Sequence, residues 1–307
     1  MMKKSLILLI FVAISFVVNA QQKEFECNES WVQKIKGLAP EQPEVKPQKT
    51  RKILVFDRFT GFNHWVTPHT SQVIKALGDK SGAYETEITK DIFCFEAKNL
   101  KKYDVVVLNN TCSVGPRRDL ILDALEEDTK LSEEQIKKKA AELEENLISY
   151  VKKGGGLVVV HGAIVMQNNS MPFSEMVGGS FDYHPPQQKV TLKLAEPSHP
   201  LLKAFQGEAF VHVDEPYLFN KAYEKKNFRP LLFMDTEELE KKPKPIDDNI
   251  RYVAWVKPFG KGRVFYSSPS HNAQSFENPR LLKFYLDGIQ YATGDYEVDD
   301  KPVKLNN

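Results

Sequence analysis

Seven histidines and a few nearby carboxylates are the residues of this 307-residue chain whose types and spacing could do chemistry. His64 and His69 follow the apolar run Lys52–Asp57, and His161 comes directly after Gly156–Val160. His184 closes the glycine-rich stretch Gly178–Pro185, His212 stands two residues before Asp214, and His271 comes shortly after Arg263–Ser267. Only His199, beside Pro200, has no evident link to a strand end. Imidazole titrates near neutral pH, so with a carboxylate it can act as general acid and base. The same groups could instead hold a divalent metal such as zinc, although no His-Glu-x-x-His spacing is present. A single histidine is usually a surface or core residue. Several at the edge of one sheet point to a shared pocket.

The expected catalytic set is therefore His161, Asp214, His212 and His184, with His161 first because a strand fixes its backbone. His64 and His271 belong at the rim of the same cleft. With Trp65, Tyr183, Glu215 and Tyr217 they form the expected substrate-binding set. No metal ligand is firm, and the candidates are His64, His161, His184, His212 and His271. Asp214 and Glu215 as a hydrolytic pair are disfavoured, because adjacent strand residues face opposite ways. Trp255 lies within a strand and reads as packing. Cys112 follows an apolar run and reads as a buried thiol, which is normally inert.

The elements that must position these groups are legible as hydrophobic patterns. Lys52–Asp57, Asp104–Asn109 and Gly156–Val160 are continuous apolar runs of the kind found in strands buried on both faces, and Tyr84–Thr89 alternates. A helix is expected after Pro68. Ser132 and Gln135 form a capping box ahead of Ile136, Ala140, Leu143, Leu147 and Val151 at helical spacing, and Gly154 ends that helix. Helix, glycines, strand is the reverse of the order a phosphate loop needs. Further strands are expected near 189–194, 209–213, 230–234, 251–256 and 263–267. A last helix starts at Asn278-Pro279 and stops at Gly294. Arg117-Arg118 and Glu126-Glu127-Asp128 read as a solvated charged insertion. Alternating strands and helices imply a parallel sheet whose ligands bind at the carboxyl ends of the strands.

Composition excludes other classes. The chain is 41% hydrophobic and 27% charged, with a net charge of +1. That excludes collagen-like and wholly disordered chains and gives no bulk reason to bind nucleic acid. Met1-Met2-Lys3-Lys4, the apolar run from Leu6 to Val18 and Val18-Asn19-Ala20 have the form of a secretory signal over residues 1–20. The run is shorter than the roughly 20 residues that span a bilayer. Cleavage removes Lys3 and Lys4 and no acid, so the remainder carries two fewer positive charges and a net −1. The expectation is an exported protein, periplasmic or extracellular, with no membrane contact after cleavage. Residues 21–50 read as a leader or linker with a short helix around Trp31 to Gly37, 51–294 as the domain and 295–307 as a frayed tail. Export permits disulfides, but Cys27, Cys94 and Cys112 are odd in number, and their pairing stays open.

At this point the sequence resembles the trehalose-utilization (ThuA-like) family, a branch of the class I glutamine-amidotransferase-like fold. The resemblance rests on Gly61-Phe62-Asn63-His64, His161-Gly162-Ala163, Gly178 to Pro185, Ser198-His199-Pro200 and Asp214-Glu215-Pro216-Tyr217. Tyr252 to Trp255, Gly260 to Tyr266, His271 with Phe276 and Pro279, and Gly288 to Ala292 complete it. It implies an α/β, flavodoxin-like three-layer sandwich with a mainly parallel central sheet, and a role in carbohydrate utilization. A glutamine amidotransferase carries its nucleophilic cysteine where this chain has His161-Gly162-Ala163, so a glutaminase would lack its nucleophile. Ile164 to Ser170 also lacks acidic and aromatic residues often seen after this motif. Two functions follow as expectations. One is an enzyme, a hydrolase, lyase or isomerase, acting on a disaccharide or keto-glycoside by His/Asp chemistry. The other is a non-catalytic sugar-binding module on the same fold. A small carbohydrate is the expected partner.

Overall fold

The structure, a computed structural model, describes residues 22–303, so the signal-like segment lies outside the described residues. The chain opens with α1 (Glu29–Leu38), then β1 (Lys52–Phe56), α2 (Thr67–Ser81), β2 (Glu85–Thr89), α3 (Ala97–Leu100) and β3 (Val105–Asn109). α4 (Leu120–Asp128), α5 (Glu133–Lys152), β4 (Gly156–Val160), α6 (Met171–Val177), β5 (Ser180–Tyr183), β6 (Gln188–Leu194) and β7 (Phe210–Asp214) follow. The remainder is β8 (Leu218–Asn220), β9 (Arg229–Asp235), β10 (Ile250–Phe259), β11 (Gly262–Ser267) and α7 (Pro279–Thr293).

Among the described residues, nine strands form one sheet in the order β2-β1-β3-β4-β11-β10-β9-β6-β7, and β5 pairs with β8 apart from it. The first five are parallel and the last four antiparallel, so the sheet is mixed rather than mainly parallel. The cause is local. β10 and β11 are joined through Gly260-Lys261, far too short for the crossover of a dozen or more residues that a parallel pair needs. β3 and β4 are buried along their whole length, as their unbroken Val/Leu runs require. α2 packs on both α1 and α7, while α3, α4 and α6 pack around α5. The capping box of α5 forms as read, Ser132 accepting from Gln135 N–H and Gln135 accepting from Ser132 N–H.

Three readings change. The charged insertion is ordered: Asp119 caps α4, Arg117 pairs with Asp123 and Glu126, and Arg58 pairs with Glu127 and Asp128. The leader belongs to the folded unit, because α1 buries Trp31, Val32 and Ile35, and Glu44 pairs with Lys283 and Lys203 at 2.9 and 3.0 Å. The tail is tied down by Asp295 on Arg51, Tyr291 O–H on Asp300 and Arg229 on Asp299. The three cysteines are free thiols.

Candidate active site at the carboxyl edge of the sheet

β1, β3, β4 and β11 lie side by side, and the segment after each delivers a side chain to one place. His64 follows β1, Cys112 follows β3, His161 is the first residue after β4, and His271 follows β11. His161 turns the chain with φ +48°, a left-handed conformation that is costly for any residue with a Cβ. The sharp strand-to-helix turn lifts its imidazole off the sheet, as the elbow of α/β-hydrolases lifts a nucleophile. Gly162 then has to be glycine, since a Cβ there would stand 2.5 Å from His64 Cε1 and 2.8 Å from Cys112 Sγ.

Glu215 arrives from the far edge of the sheet. β7 ends at Asp214, so strand alternation no longer governs the next residue, and the Glu215 carboxylate reaches the three imidazoles. Its Oε2 lies 3.1 Å from His271 Nδ1, 3.4 Å from His161 Nε2 and 4.0 Å from His64 Nε2; Oε1 is 3.7 Å from His184 Nε2. His64, His161, Glu215 and His271 thus place four potential metal-ligand atoms within 4.8 Å of one another. Asp214 does not enter the cluster. Its Oδ1 accepts from the backbone N–H of Glu215 (2.8 Å) and of His271 (3.0 Å), which makes it a positioning residue for both.

The roles expected of the histidines are redistributed by this geometry. His64 and His271 are not at the rim but buried in the centre, at 2% and 6% exposure. His184 is the partly exposed member. His212 stays outside, bonded to Ser275 Oγ at 3.1 Å and 3.2 Å from Asp214 Oδ2, because it shares the Asp214 face of β7. His212 and His184 are therefore absent from the four-atom group that geometry marks as metal-competent. Tyr217 lies against His161 with ring centroids 4.4 Å apart, its hydroxyl 3.4 Å from His64 Nε2. Trp65 packs on Phe25 and His69, Tyr183 carries Lys244 over its ring, and Trp255 is fully buried. His199 caps the turn after it and bonds Asp299 O at 3.0 Å.

His64 and Glu215 of the cluster form the floor of a cavity of about 260 Å³ walled by Phe62, Phe181, Tyr217, His184 and Arg118, with His161 and His271 beneath it. A larger hollow, about 1070 Å³, opens at the opposite edge beside Arg51 and Tyr84 and holds none of the histidines. Phe62 is 60% exposed with its ring 4.7 Å from His64. Phe62 and Phe181 lie in motifs that carry the resemblance but had no expected site role, and Arg118, read as part of a solvated insertion, lines the cavity instead.

Burial opposes charge on Glu215, yet the close imidazoles of His161 and His271 outweigh it and hold the carboxyl well below the usual carboxylate range. Burial likewise opposes charge on His271, but the Glu215 carboxylate raises its pKa overall. Burial, reinforced by the neighbouring His161 and His271, lowers His64 well below an ordinary histidine. Burial lowers His212 despite Asp214, and pushes the Cys112 thiol up to about 12. Cys112 donates to Gly162 O at 3.2 Å and is not a poised nucleophile.

A mixed α/β sheet presenting three imidazoles and a carboxylate at its carboxyl edge defines the class: an α/β protein with a polar site above adjacent strands. A family model described as ThuA, trehalose utilisation, matches residues 52–292, and the chain belongs to that family. Similar solved structures include a putative thua-like protein from Bacteroides uniformis ATCC 8492, at 18% identity and TM-score 0.59, over 81% of this chain and 94% of that one. Another, from Parabacteroides merdae ATCC 43184, has 17% identity and TM-score 0.54, over 80% and 90%. Cytoplasmic Protein STM3548 from Salmonella typhimurium has 13% identity and TM-score 0.51, over 79% and 98%. At these identities the likeness is one of fold. No curated protein matches the chain.

Proposed function

We propose that this chain is an exported carbohydrate-processing enzyme that moves a proton beside the carbonyl of a keto-glycoside. The observation that carries the reading is the Glu215 carboxylate, 3.1 to 4.0 Å from four imidazoles at the floor of an aromatic-walled cavity. About 260 Å³ suits one sugar ring with its substituent extending outward. Phe62, Phe181 and Tyr217 offer apolar faces to ring C–H bonds. His184 is the proton carrier. Its Nδ1 lies 2.9 Å from Pro185 O, and a carbonyl only accepts, so Nδ1 carries the hydrogen and the neutral ring keeps a lone pair on Nε2. That lone pair takes the proton from the carbon beside the carbonyl. The released electron pair forms a C=C bond, the C–O bond at the next carbon breaks, and the departing oxygen takes the proton back from the His184 imidazolium, whose charge the Glu215 carboxylate 3.7 Å away offsets. The expected His/Asp pair thus becomes a His/Glu pair, with Asp214 holding the backbone of Glu215 and His271.

The family description, trehalose utilisation, supports a small carbohydrate as partner, and the near-neutral charge supports no nucleic acid. Strands buried on both faces and two groups of helices support a flavodoxin-like three-layer sandwich. The basic, apolar, small-residue pattern of residues 1–20 supports export, and no described helix is long and apolar enough to cross a membrane. N-terminal sequencing of protein from the native host should find Gln21 first; an intact Met1 in the cytosolic fraction would remove the export claim. His161 in place of a cysteine supports the absence of glutaminase activity. Ammonia released from glutamine and lost in Cys112→Ala would reverse that.

The deciding experiment incubates the protein with native and 3-keto disaccharides. Turnover of the keto form, lowered about 10²- to 10⁴-fold in His184→Ala, is expected. Tight sugar binding without any product would instead make the chain a binding module.

A further inference from the structure

We propose that His64, His161, His271 and Glu215 together bind one divalent transition-metal ion, zinc or a neighbour in its series, at the floor of the cavity. Its role toward a sugar rests on the reading above, whereas the ion's binding does not. The spacing is the first argument. A tetrahedral ion with ligand bonds of about 2.0–2.1 Å sets its ligand atoms roughly 3.3–3.4 Å apart. Here His271 Nδ1 is 3.1 Å from Glu215 Oε2 and 3.3 Å from His161 Nε2, and His161 Nε2 is 3.4 Å from the same carboxylate oxygen. His64 Nε2, 4.0 Å from Glu215 Oε2, completes the group.

Hydrogen placement is the second and independent argument. His161 Nδ1 lies 2.6 Å from Ser268 O, and since a carbonyl cannot donate, the ring hydrogen is on Nδ1. The neutral ring therefore aims a bare lone pair from Nε2 at the cluster. His64 follows the same logic by one more step. The Cys112 thiol gives its hydrogen to Gly162 O, so toward His64 Nδ1, 3.7 Å away, the sulfur is an acceptor and Nδ1 the donor. His64 Nε2 then also faces inward as a lone pair. Tyr217 O–H reaches only His64 Nε2, and a hydrogen on His271 Nδ1 can serve either His161 Nε2 or Glu215 Oε2 but not both, so one inward acceptor lacks a hydrogen and a cation would join them all. Outer nitrogens committed to a carbonyl or a sulfur are also the arrangement that orients imidazole ligands around metals.

The donor set, three imidazoles and one carboxylate without thiolate, suits zinc, iron, manganese or cobalt rather than calcium. His184 stays off the ion and keeps its lone pair for the substrate. Bound there, the ion would polarise a sugar carbonyl oxygen presented by the cavity by expanding to five-coordination.

The test uses the whole protein after chelation and dialysis, titrated by calorimetry with Zn²⁺ and followed with Co²⁺ by visible absorption. One ion per chain and a d–d spectrum of four-coordinate cobalt are expected. Glu215→Gln and His271→Asn should each weaken binding by more than about 10-fold, while His69→Asn and His199→Asn leave it unchanged. Thermal melts of the metal-free variants separate lost ligands from lost fold. If both site variants melt early, the wild-type cobalt spectrum decides, and its absence overturns the proposal. Binding unaltered in folded Glu215→Gln and His271→Asn, or lost in His69→Asn, also overturns it. Stoichiometric binding without turnover of 3-keto disaccharides would reject the substrate reading and leave the metal site standing.

Discussion

At the scale of single residues the site depends on who holds whom. Asp214 touches no reacting group; it accepts two backbone hydrogens and so sets the positions of Glu215 and His271. Asp214→Ala should lower turnover of a 3-keto disaccharide at least about 10-fold, and Asp214→Asn, which keeps the accepting oxygen, should restore most of it. A catalytic carboxylate would not be rescued by the amide, so kcat of the two variants is the measurement. Phe62 makes the opposite case, an exposed ring at the mouth of the cavity. Phe62→Ala should weaken sugar binding by roughly 5- to 10-fold, about 1 kcal/mol, with the melting temperature unchanged. Gly162 leaves no room for a methyl group between His64 and Cys112. Gly162→Ala should cost about 1–3 kcal/mol in urea unfolding and displace His64.

At the scale of elements, the first helix lies close to where its sequence places one, but it is packed into the domain rather than held apart from it. α1 lies within a segment that reads as proline-punctuated leader, yet Trp31 is 6% exposed and its Nε1 donates to Glu277 Oε1 at 3.2 Å. Its ring also joins Phe25 and Trp65 around His69. α1 thereby closes over α2, the helix that follows the His64 loop. Trp31→Ala should destabilise the protein by about 3–5 kcal/mol, the usual cost of removing a large buried aromatic. A loss below about 1 kcal/mol in chemical denaturation would show α1 to be a loosely attached leader after all.

For the molecule as a whole, stability is coupled to pH through a lysine that the site does not use. Lys257 on β10 is 3% exposed, donates to Glu175 O beneath α6, and burial lowers its pKa to about 8. Unfolded, it would release its proton near 10.5. Between those values the unfolded chain holds more protons, so stability rises with pH over that window; below about 8 both states are charged and the full burial cost remains. Lys257→Met removes this dependence. The stability difference between wild type and variant should therefore shift in favour of wild type by up to roughly 3 kcal/mol from pH 8 to 10.5. Paired denaturation curves across that range measure it, and a constant difference would place the lysine in water.

The sequence by itself determined the alternation of strands and helices and the position of most histidines at strand ends. Those are local patterns: an unbroken Val/Leu run can only be buried on both faces, and the residue after it must emerge at an edge. Tertiary structure alone decided which groups meet. Strand alternation set Asp214 above Glu215, but the strand ends between them and the order of roles reverses. His161 finds its orienting carbonyl at Ser268, 107 residues away, and Tyr217 reaches His64 from 153 residues away. The antiparallel half of the sheet and the burial of α1 belong to the same category. Periodicity reports how one segment meets water, whereas a site assembled from six separated segments is specified by how those segments pack on one another, and no window of sequence contains that information.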